Sequence, residues 1–486
     1  MAYPRIDHPI LRSKPFLAVV SLAKKEKKDI YLVGGFLRDA IIGYQKDPLD
    51  IDFTLMRGAI DFGRRLAREL RAGFVVLDKE HGCSRVVVKI KGEVLTLDFV
   101  DFRGKDLEED LLKRDFTVNT LAWRLPLLKN VLLDLYGAQR DIARKVVRVV
   151  SDSSFDDDPL RILRAFSVGA IFGLKISPHT LTLIKKKKES LKSVAGERLR
   201  DELFKIFNSE RAWHHIGLLD KYGVLEVVIP QVAVMHNVRQ GGYHHLDVWG
   251  HSLETLKKLD ELFLSLKDDK ALSFYLNEYM SSGRKRIQLI KLAALLHDIG
   301  KPEAFEVKAG KTMFHGHERI GRIISDSVSE RLKLSSREKF ALDTIIFWHL
   351  RPGYLADNDI LTKRAVHRYF RDTKDEAASV LLLSIADQRA TRGPMANAAS
   401  RKKHEKVSFS LLRRYFEMLK EEPFKRLIGG MDLIKKLKLK PGPMFSAILD
   451  AVEEAQVEGR AKTRTEALKL AKETSAKLLL KSKGGQ

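Results

Sequence analysis

IYLVGGFLRDAIIGYQKDPLDIDFTLM, which spans residues 30–56, is the most informative part of this sequence. An apolar run leads into the pair Gly34-Gly35, and a short amphipathic segment follows it. A turn is expected at Asp47-Pro48, after which an alternating apolar run resumes. This order predicts a strand, a glycine turn, a helix and a second strand.

The second of these strands carries two carboxylates, Asp50 and Asp52. Because they are two residues apart, they point to one face, with Cα atoms about 6.5 Å apart. Two carboxylates so placed can share a pair of divalent ions about 3.5–4 Å apart, as in-line phosphoryl transfer requires. The glycines let the backbone approach a phosphate, and the helix start offers free N–H groups. An ordinary turn would explain Gly34-Gly35 alone, and a solvated strand face would explain Asp50 and Asp52 alone. The glycine turn and the two carboxylates together favour a nucleotide site.

Arg38 and Asp39 complete a motif, G-G-x-[hydrophobic]-R-D followed by D-x-D. This motif resembles the nucleotidyltransferase superfamily, and in particular the class II tRNA CCA-adding and bacterial poly(A) polymerase family. The resemblance implies that Asp50 and Asp52 are catalytic and hold Mg²⁺. It also implies that Gly34, Gly35 and Arg38 cradle phosphates.

A third catalytic carboxylate is expected further along the chain. Residues 84–90 and 94–99 alternate as two strands joined at Lys91-Gly92. The family resemblance places the third metal-side carboxylate near the end of the second of these strands. We assign that role to Asp98, with Asp101 as the rival.

Residues 110–125, DLLKRDFTVNTLAWRL, taken alone predict an amphipathic surface helix with an ion pair. They resemble the family motif R-R-D-F-T-x-N-A, with Lys113 and Thr120 in place of the first Arg and the Ala. Lys113 keeps the charge but lacks the two-pronged guanidinium, so the role of that position is open. The resemblance implies that the ribose and the triphosphate are held by Arg114, Asp115 and Asn119.

Residues 155–174, FDDDPLRILRAFSVGAIFGL, begin with acids and a proline and then show helical periodicity. Asp158 and Arg161 are three apart and share a face, which a helix cap and a salt bridge explain equally well. The segment resembles the family's E-D-x-x-R motif, with Asp157 in place of the Glu. The resemblance implies that Asp158 and Arg161, with Arg164 one turn further on, bind the edge of the incoming base. Such donors and acceptors reject a base that leaves them unpaired.

Beyond residue 241, histidines and aspartates recur on segments with helical patterns. Imidazole and carboxylate ligands together suit divalent metals, although a single histidine of this kind is more often a core or surface residue. The order H…HD…H…H…D resembles the HD metal-dependent phosphohydrolase superfamily. The resemblance implies one metal site formed by His251, His297, Asp298 and Asp387. It also implies a second ion or a substrate phosphate at His317 and His349, with Lys301 beside a phosphate.

The composition indicates an acidic partner. The 486 residues carry a formal net charge of +24, with four consecutive lysines at positions 185–188. This charge favours binding to a nucleic-acid backbone. Cys83 is the only cysteine, which excludes an intramolecular disulfide and suits a reducing compartment. The first residues lack a secretory apolar region, and no apolar run approaches the roughly 18 residues of a membrane span. We therefore expect a soluble cytoplasmic protein.

These observations predict an α+β chain in four parts. A small mixed β-sheet nucleotidyltransferase head (residues 1–140) is followed by an all-α neck, an HD body and a tail. The neck (141–240) would carry the base template and bind RNA, and the HD body spans 241–400. The basic tail (401–486) would bind RNA, since the turn K-P-G-P at 440–443 opens a helix toward a phosphate.

The predicted function is addition of CCA, of CC or of the terminal A to tRNA 3′ ends. CTP and ATP would be the substrates, pyrophosphate would leave, and no nucleic-acid template would be used. Mg²⁺ is expected in the head and Mg²⁺ or a divalent transition metal in the HD domain, with no membrane or obligate protein partner. One alternative is a poly(A) polymerase of the same family. A second is an HD phosphohydrolase acting on RNA 3′ ends, and a third is a non-catalytic RNA-binding scaffold, which two metal constellations disfavour.

Overall fold

The computed structural model describes residues 6, 8–44, 49–90, 93–125, 132–422 and 424–483. The chain divides into two compact units, Met1–Pro230 and Gln231–Gln486. The turns predicted at Asp47-Pro48 and Lys91-Gly92 lie outside the described residues. The finer division of the chain at residues 140, 240 and 400 stays a prediction.

The first unit contains nine strands and eleven α-helices among its described residues. The strands are β1 (Ile30–Val33), β2 (Leu49–Leu55), β3 (Gly73–Asp78), β4 (Cys83–Ile90), β5 (Glu93–Asp101), β6 (Ala122–Leu125), β7 (Leu132–Leu133), β8 (Val146–Val147) and β9 (Lys175–Ile176). The helices are α1 (Lys14–Lys25), α2 (Gly35–Ile42), α3 (Ala59–Leu70), α4 (Leu107–Leu112), α5 (Ala138–Ala143), α6 (Ser154–Asp157), α7 (Arg161–Phe172), α8 (Pro178–Lys187), α9 (Gly196–Phe207), α10 (Ala212–Lys221) and α11 (Leu225–Val228). Short 3₁₀ turns cover Pro9–Arg12, Thr117–Asn119 and Lys188–Ser193.

A seven-stranded sheet in the order β3-β4-β5-β2-β1-β6-β7 forms the centre of the first unit. Strands β2 and β5 run parallel, and the other neighbouring pairs run antiparallel. The sheet is therefore mixed, which confirms the predicted α+β class. One face packs on α1 and α3 through aromatic rings, with Phe16 of α1 6.2 Å from Phe53 and Phe62 of α3 5.3 Å from Phe99 between centroids. Because side chains alternate along a strand, residues 50, 52 and 98 lie on the opposite face.

The segment 30–56 folds as its pattern predicts, with β1, a glycine bend, α2 and then β2. Gly34 precedes α2 with φ 78° and ψ −145°, a conformation that L-residues avoid. Gly43 ends the helix in the left-handed conformation, with φ 78° and ψ 24°. The two glycines thus fix both ends of the helix that follows the first strand.

The second unit is mainly helical. Its helices are α12 (Val248–Ser265), α13 (Lys270–Leu276), α14 (Arg286–Leu296), α15 (His317–Arg331), α16 (Ser336–Trp348), α17 (Arg351–Asp357), α18 (Lys363–Thr373), α19 (Ala377–Ala390), α20 (Ala398–Met418), α21 (Gly430–Lys435), α22 (Met444–Val457) and α23 (Arg464–Lys483), with a 3₁₀ turn at Lys374–Glu376. In the described part of the chain, none of the helices is both long and apolar enough to cross a bilayer.

The expectation that everything after the head is all-α is wrong in detail. Strands β8 and β9 pair in parallel in the first unit. In the second unit, β10 (Tyr279–Ser281) pairs with β11 (Arg284–Lys285), and β12 (Glu306–Lys308) pairs with β13 (Lys311–Met313). The turn of the second hairpin contains Ala309 and Gly310, both with positive φ, which suits the twist of a tight hairpin.

Candidate functional site

The three predicted catalytic carboxylates lie on one face of the central sheet. Asp52 on β2 is in register with Asp98 on β5, and Asp50 is in register with Thr96. Thr96 Oγ1 donates a hydrogen bond to Asp50. Asp101, the rival third carboxylate, is three positions from Asp98 and so faces the other way. It accepts a hydrogen bond from the backbone N–H of Ala59 at 2.8 Å, at the start of α3.

The glycine bend lies directly against one of these carboxylates, Asp52. A Cβ atom built on Gly34 would lie 3.0 Å from Asp52 Oδ2 and 3.1 Å from Arg114 Nη1. The backbone, a carboxylate predicted to bind metal and a cation therefore meet at one point. An anion that approaches this point meets the start of α2 and positive charge together.

Arg114 is held by residues that sequence motifs did not indicate. Its Nη2 lies 3.5 Å from Asp110 Oδ2, and its Nε is buried without a hydrogen-bond partner among the described residues. Burial lowers the pKa of Arg114 below its ordinary value. Arg103 donates from Nε to the same carboxylate, Asp110 Oδ1, at 3.0 Å. The buried Asp110 thus positions two arginines beside the glycine bend. The i, i+4 spacing of Asp110 and Arg114 is a local sequence signal for one of these two pairs.

Two of the three predicted ribose and triphosphate residues, Asn119 and Asp115, lie in one chain of hydrogen bonds and ion pairs. Arg38 Nη1 donates to Asn119 Oδ1 at 2.6 Å, and Asn119 Nδ2 donates to Asp115 Oδ1 at 2.8 Å. Asp115 Oδ2 lies 3.5 Å from Arg164 Nη1. Burial alone would raise the pKa of Asp115, but Arg164 and the bond from Asn119 hold that pKa below its ordinary value. Arg164 also donates to Glu202 at 3.3 Å, so α9 supports the site as well.

The surface helix that the pattern of residues 110–125 predicts does not form over this whole segment, so that prediction is wrong. Helix α4 ends at Leu112, a 3₁₀ turn covers Thr117–Asn119, and β6 follows. Phe116 forms an antiparallel bridge with Val149, and Thr117 Oγ1 donates to Asp141 at 2.7 Å. These long-range contacts override the helical pattern and bring the polar residues of the segment to the site.

The two predicted base-binding residues are engaged with protein groups. Asp158 Oδ2 accepts a hydrogen bond from Arg198 Nη2 at 2.9 Å. Arg161 is buried and donates from Nη2 to the backbone carbonyl of Lys113 at 2.9 Å. Arg161 therefore fixes the backbone beside Arg114, and any contact of these two side chains with a base requires exchange of these bonds.

Two cavities meet at the site, each of about 260 Å³. One is lined by cations and the bend, namely Gly34, Gly35, Arg38, Arg103, Arg114, Arg161 and Arg164, together with Asp52, Asp115 and Asn119. The other includes Asp50 and Asp52 and has an apolar wall with Tyr44 and Phe172. The Arg38 guanidinium lies 4.0 Å above the Phe172 ring. Of the predicted nucleotide-binding residues, Asp158 is the one that lines neither of these two cavities.

The second unit brings all the predicted HD residues together. His251, His297 and Asp387 offer ligand atoms within 4.8 Å of one another, and Asp298, His317 and His349 form a second such group. Asp298 lies between the two groups, with Oδ2 3.2 Å from His297 Nε2 and Oδ1 3.3 Å from His317 Nε2. Its Oδ2 also accepts a hydrogen bond from Lys301 at 2.6 Å. Gln240, which the sequence did not indicate, accepts a second bond from Lys301 at 2.6 Å.

The hydrogen bonds of these histidines fit a metal site. The Nδ1 atoms of His297, His317 and His349 each face a backbone carbonyl oxygen, at 2.9, 2.8 and 2.6 Å. Since a carbonyl oxygen only accepts hydrogen bonds, Nδ1 carries the proton, and Nε2 of the neutral ring carries a free lone pair. His317 Nε2 and His349 Nε2 are 3.4 Å apart. His297 Nε2 is buried 3.2 Å from Asp298 Oδ2 and has no partner that meets hydrogen-bond geometry among the residues that the structure describes. Lone pairs that converge on carboxylates in this way are the donor set of a divalent cation.

The first unit, with paired carboxylates beside a glycine bend on a mixed sheet, is that of a nucleotidyltransferase. Family models agree with this class. The Poly A polymerase head domain matches residues 30–148, and the HD domain matches residues 248–392. A model described as "Probable RNA and SrmB-binding site of polymerase A" matches residues 173–235, and one of tRNA nucleotidyltransferase domain 2 matches residues 395–471.

Whole-length relatives specify the family. The chain is 32% identical to an A-adding tRNA nucleotidyltransferase of Deinococcus radiodurans, over 90% of this chain and 93% of the relative. It is 31% identical to a CC-adding tRNA nucleotidyltransferase of Thermus thermophilus, over 90% and 92%. The fold is similar to that of a Thermotoga maritima CCA-adding enzyme complexed with tRNA (TM-score 0.62, 22% identity, 98% of this chain and 97% of that one). This chain belongs to the tRNA nucleotidyltransferase and poly(A) polymerase family of enzymes, which use a divalent metal ion.

Proposed function

We propose that this chain adds cytidine, adenosine or both to the 3′ end of tRNA, from CTP and ATP, with release of pyrophosphate. The observation that supports this most directly is the placement of Asp50, Asp52 and Asp98 on one face of the sheet, with Asp52 against the bend at Gly34. The relatives that match over nine-tenths of this chain are named for tRNA. The poly(A) polymerase alternative is therefore not favoured.

The residues of the chain divide the work of this reaction. Arg114 and the backbone at Gly34 and Gly35 would bind the triphosphate, because they present cations and free N–H groups at one point. Asn119 and Asp115 would bind the ribose through the hydrogen-bonded chain that begins at Arg38. Mg²⁺ held by Asp50, Asp52 and Asp98 would lower the charge of the triphosphate and increase the nucleophilicity of the 3′-hydroxyl.

Base selection is proposed for Asp158 and Arg161, with Arg164 beside them. The two side chains would exchange their present partners, Arg198 and the backbone at Lys113, for the edge of the base. A base that cannot replace those bonds leaves buried groups unpaired, which is the physical basis of discrimination. This assignment predicts that the neck opens locally when a nucleotide binds.

The HD residues support a second proposal, hydrolysis of phosphate esters at RNA ends. A cavity of about 940 Å³ opens onto Asp298, His317, His349 and Lys301. Mg²⁺ or a divalent transition metal held by His251, His297, Asp298 and Asp387, with His317 and His349 at a second ion, would supply a metal-bound nucleophile. Lys301 would bind the phosphate that is cleaved.

The organisation and compartment follow the same reasoning. We propose that residues 1–140 form the head, 141–240 the RNA-binding neck, 241–400 the HD body and 401–486 a basic RNA-binding tail. A reducing, cytoplasmic location suits a chain whose only cysteine is Cys83.

The test uses the purified chain with tRNA transcripts ending at the discriminator base, at C and at CC, with CTP or ATP supplied separately. Extension of CC-ended RNA alone, by ATP, identifies an A-adding enzyme. Extension of the two shorter transcripts with CTP alone identifies a CC-adding enzyme, and both activities identify full CCA addition. Long adenosine tails, or no extension of any transcript, would contradict the proposal.

A further inference from the structure

An arginine, Arg85, lies in one row with the carboxylates Asp52 and Asp98 on the same face of the sheet. Asp52 on β2 is in register with Asp98 on β5, and Asp98 is in register with Arg85 on β4. Arg85 donates to both oxygens of Asp98, from Nε and from Nη2, each at 2.7 Å. Its side chain remains 39% exposed, on the open face of the sheet that carries the carboxylates. No sequence motif indicated this arginine.

The order of the strands separates two sides of the site. Gly34 at the end of β1, Arg114 and Arg103 lie on one side of Asp52. Asp98 and then Arg85 lie on the other side, toward the β3 edge of the sheet. In phosphoryl transfer the attacking and leaving oxygens are roughly in line. If the triphosphate is bound at Gly34 and Arg114, the attacking 3′-hydroxyl therefore comes from the opposite side, where Asp98 and Arg85 lie. The RNA that carries this hydroxyl would occupy that side.

We propose that Arg85 binds the RNA primer, through the phosphodiester that precedes its 3′-terminal nucleoside. A guanidinium that already binds a carboxylate with two parallel bonds has the geometry to bind a phosphate in the same way. The incoming phosphate takes the place of the Asp98 carboxylate, and Asp98 is then available at the 3′-hydroxyl. This inference rests on the proposed function, because it concerns the RNA substrate of the same site.

The experiment measures binding without a nucleotide, so that no reaction occurs. Fluorescence anisotropy compares a tRNA acceptor hairpin whose last phosphodiester, the one before the 3′-terminal nucleoside, is natural with a hairpin that carries a neutral methylphosphonate at that linkage. The wild-type chain should bind the neutral RNA about tenfold more weakly, as expected for loss of one charged hydrogen-bond pair. Arg85→Gln should bind the natural RNA about tenfold more weakly and show no further loss with the neutral RNA.

Arg64 provides a matched control. It lies on α3, on the opposite face of the sheet, with a similarly exposed side chain (47%) over the Phe74 ring. Arg64→Gln should keep the wild-type response to both RNAs. Thermal unfolding checks that each variant is folded. If Arg85→Gln is not folded, then Arg85→Lys, which keeps one charge, should give a smaller but measurable loss of the methylphosphonate effect.

An equal methylphosphonate effect in wild type and Arg85→Gln would overturn the inference, as would unchanged RNA binding by Arg85→Gln. If Arg85 only positions Asp98 and does not bind RNA, Arg85→Gln should lower kcat and leave the KM for RNA unchanged. That result would also reject the inference. Failure of the proposed function is a separate outcome, because wild type would then extend no tRNA whatever the binding data show. If wild type extends tRNA but the methylphosphonate effect does not depend on Arg85, only the proposed role of Arg85 is rejected.

Discussion

Adding one methyl group at Gly34 should impair the nucleotidyltransferase site. The backbone there has φ 78° and ψ −145°, so Ala would be strained by about 1–3 kcal/mol. The new Cβ would also lie 3.0 Å from Asp52 Oδ2 and 3.1 Å from Arg114 Nη1. Both contacts are tighter than ordinary van der Waals contact, so the carboxylate and the guanidinium must move by a few tenths of an ångström. Since a displacement near 1 Å can lower a rate about 10²-fold, we expect this smaller displacement to lower kcat/KM by about tenfold.

Gly43→Ala is the matched control for Gly34→Ala. Gly43 has the same φ, 78°, but a Cβ built there meets nothing within 4 Å. This variant should lose about 1 kcal/mol of unfolding free energy and keep the wild-type kcat/KM. The assay is single-nucleotide extension of the tRNA that wild type accepts, with denaturant unfolding of each variant. Wild-type kcat/KM in Gly34→Ala, or an equal loss in Gly43→Ala, would refute the reasoning.

Three further predictions address the two proposed metal sites and the proposed neck. Asp52→Asn should abolish nucleotide addition and leave the metal content of the HD site unchanged, as measured by elemental analysis. His297→Ala should lower that metal content and keep nucleotide addition, since the two sites use different side chains; equal loss of addition would contradict this. Burial, with the charges of His214 and Arg211, lowers the pKa of His215 to about 4. Between pH 4 and about 6.5 the unfolded chain therefore binds more protons, so the unfolding free energy should fall by about 1–2 kcal/mol as pH drops through this window, after allowance for partial exposure. In His215→Phe, the unfolding free energy measured with denaturant should depend less on pH over that range.

Local physics let the sequence determine the elements that carry the site. Alternation along residues 49–55 placed Asp50 and Asp52 on one face, because side chains of a strand alternate whatever the strand pairs with. Gly34 marked the bend, since the conformation required there excludes side chains. The order of histidines and aspartates beyond residue 241 indicated one constellation, and these residues do converge.

Tertiary structure decided which partners those elements meet. Residues 110–125 have a helical pattern, yet pairing of Phe116 with Val149 draws part of the segment into extended structure. The contacts of Arg38 with Asn119 and of Asp115 with Arg164 join segments that lie far apart in the sequence. Periodicity and turn preferences act over a few residues and are therefore visible in the sequence. The neighbour of a strand is selected by packing of the whole sheet, which has no local signature.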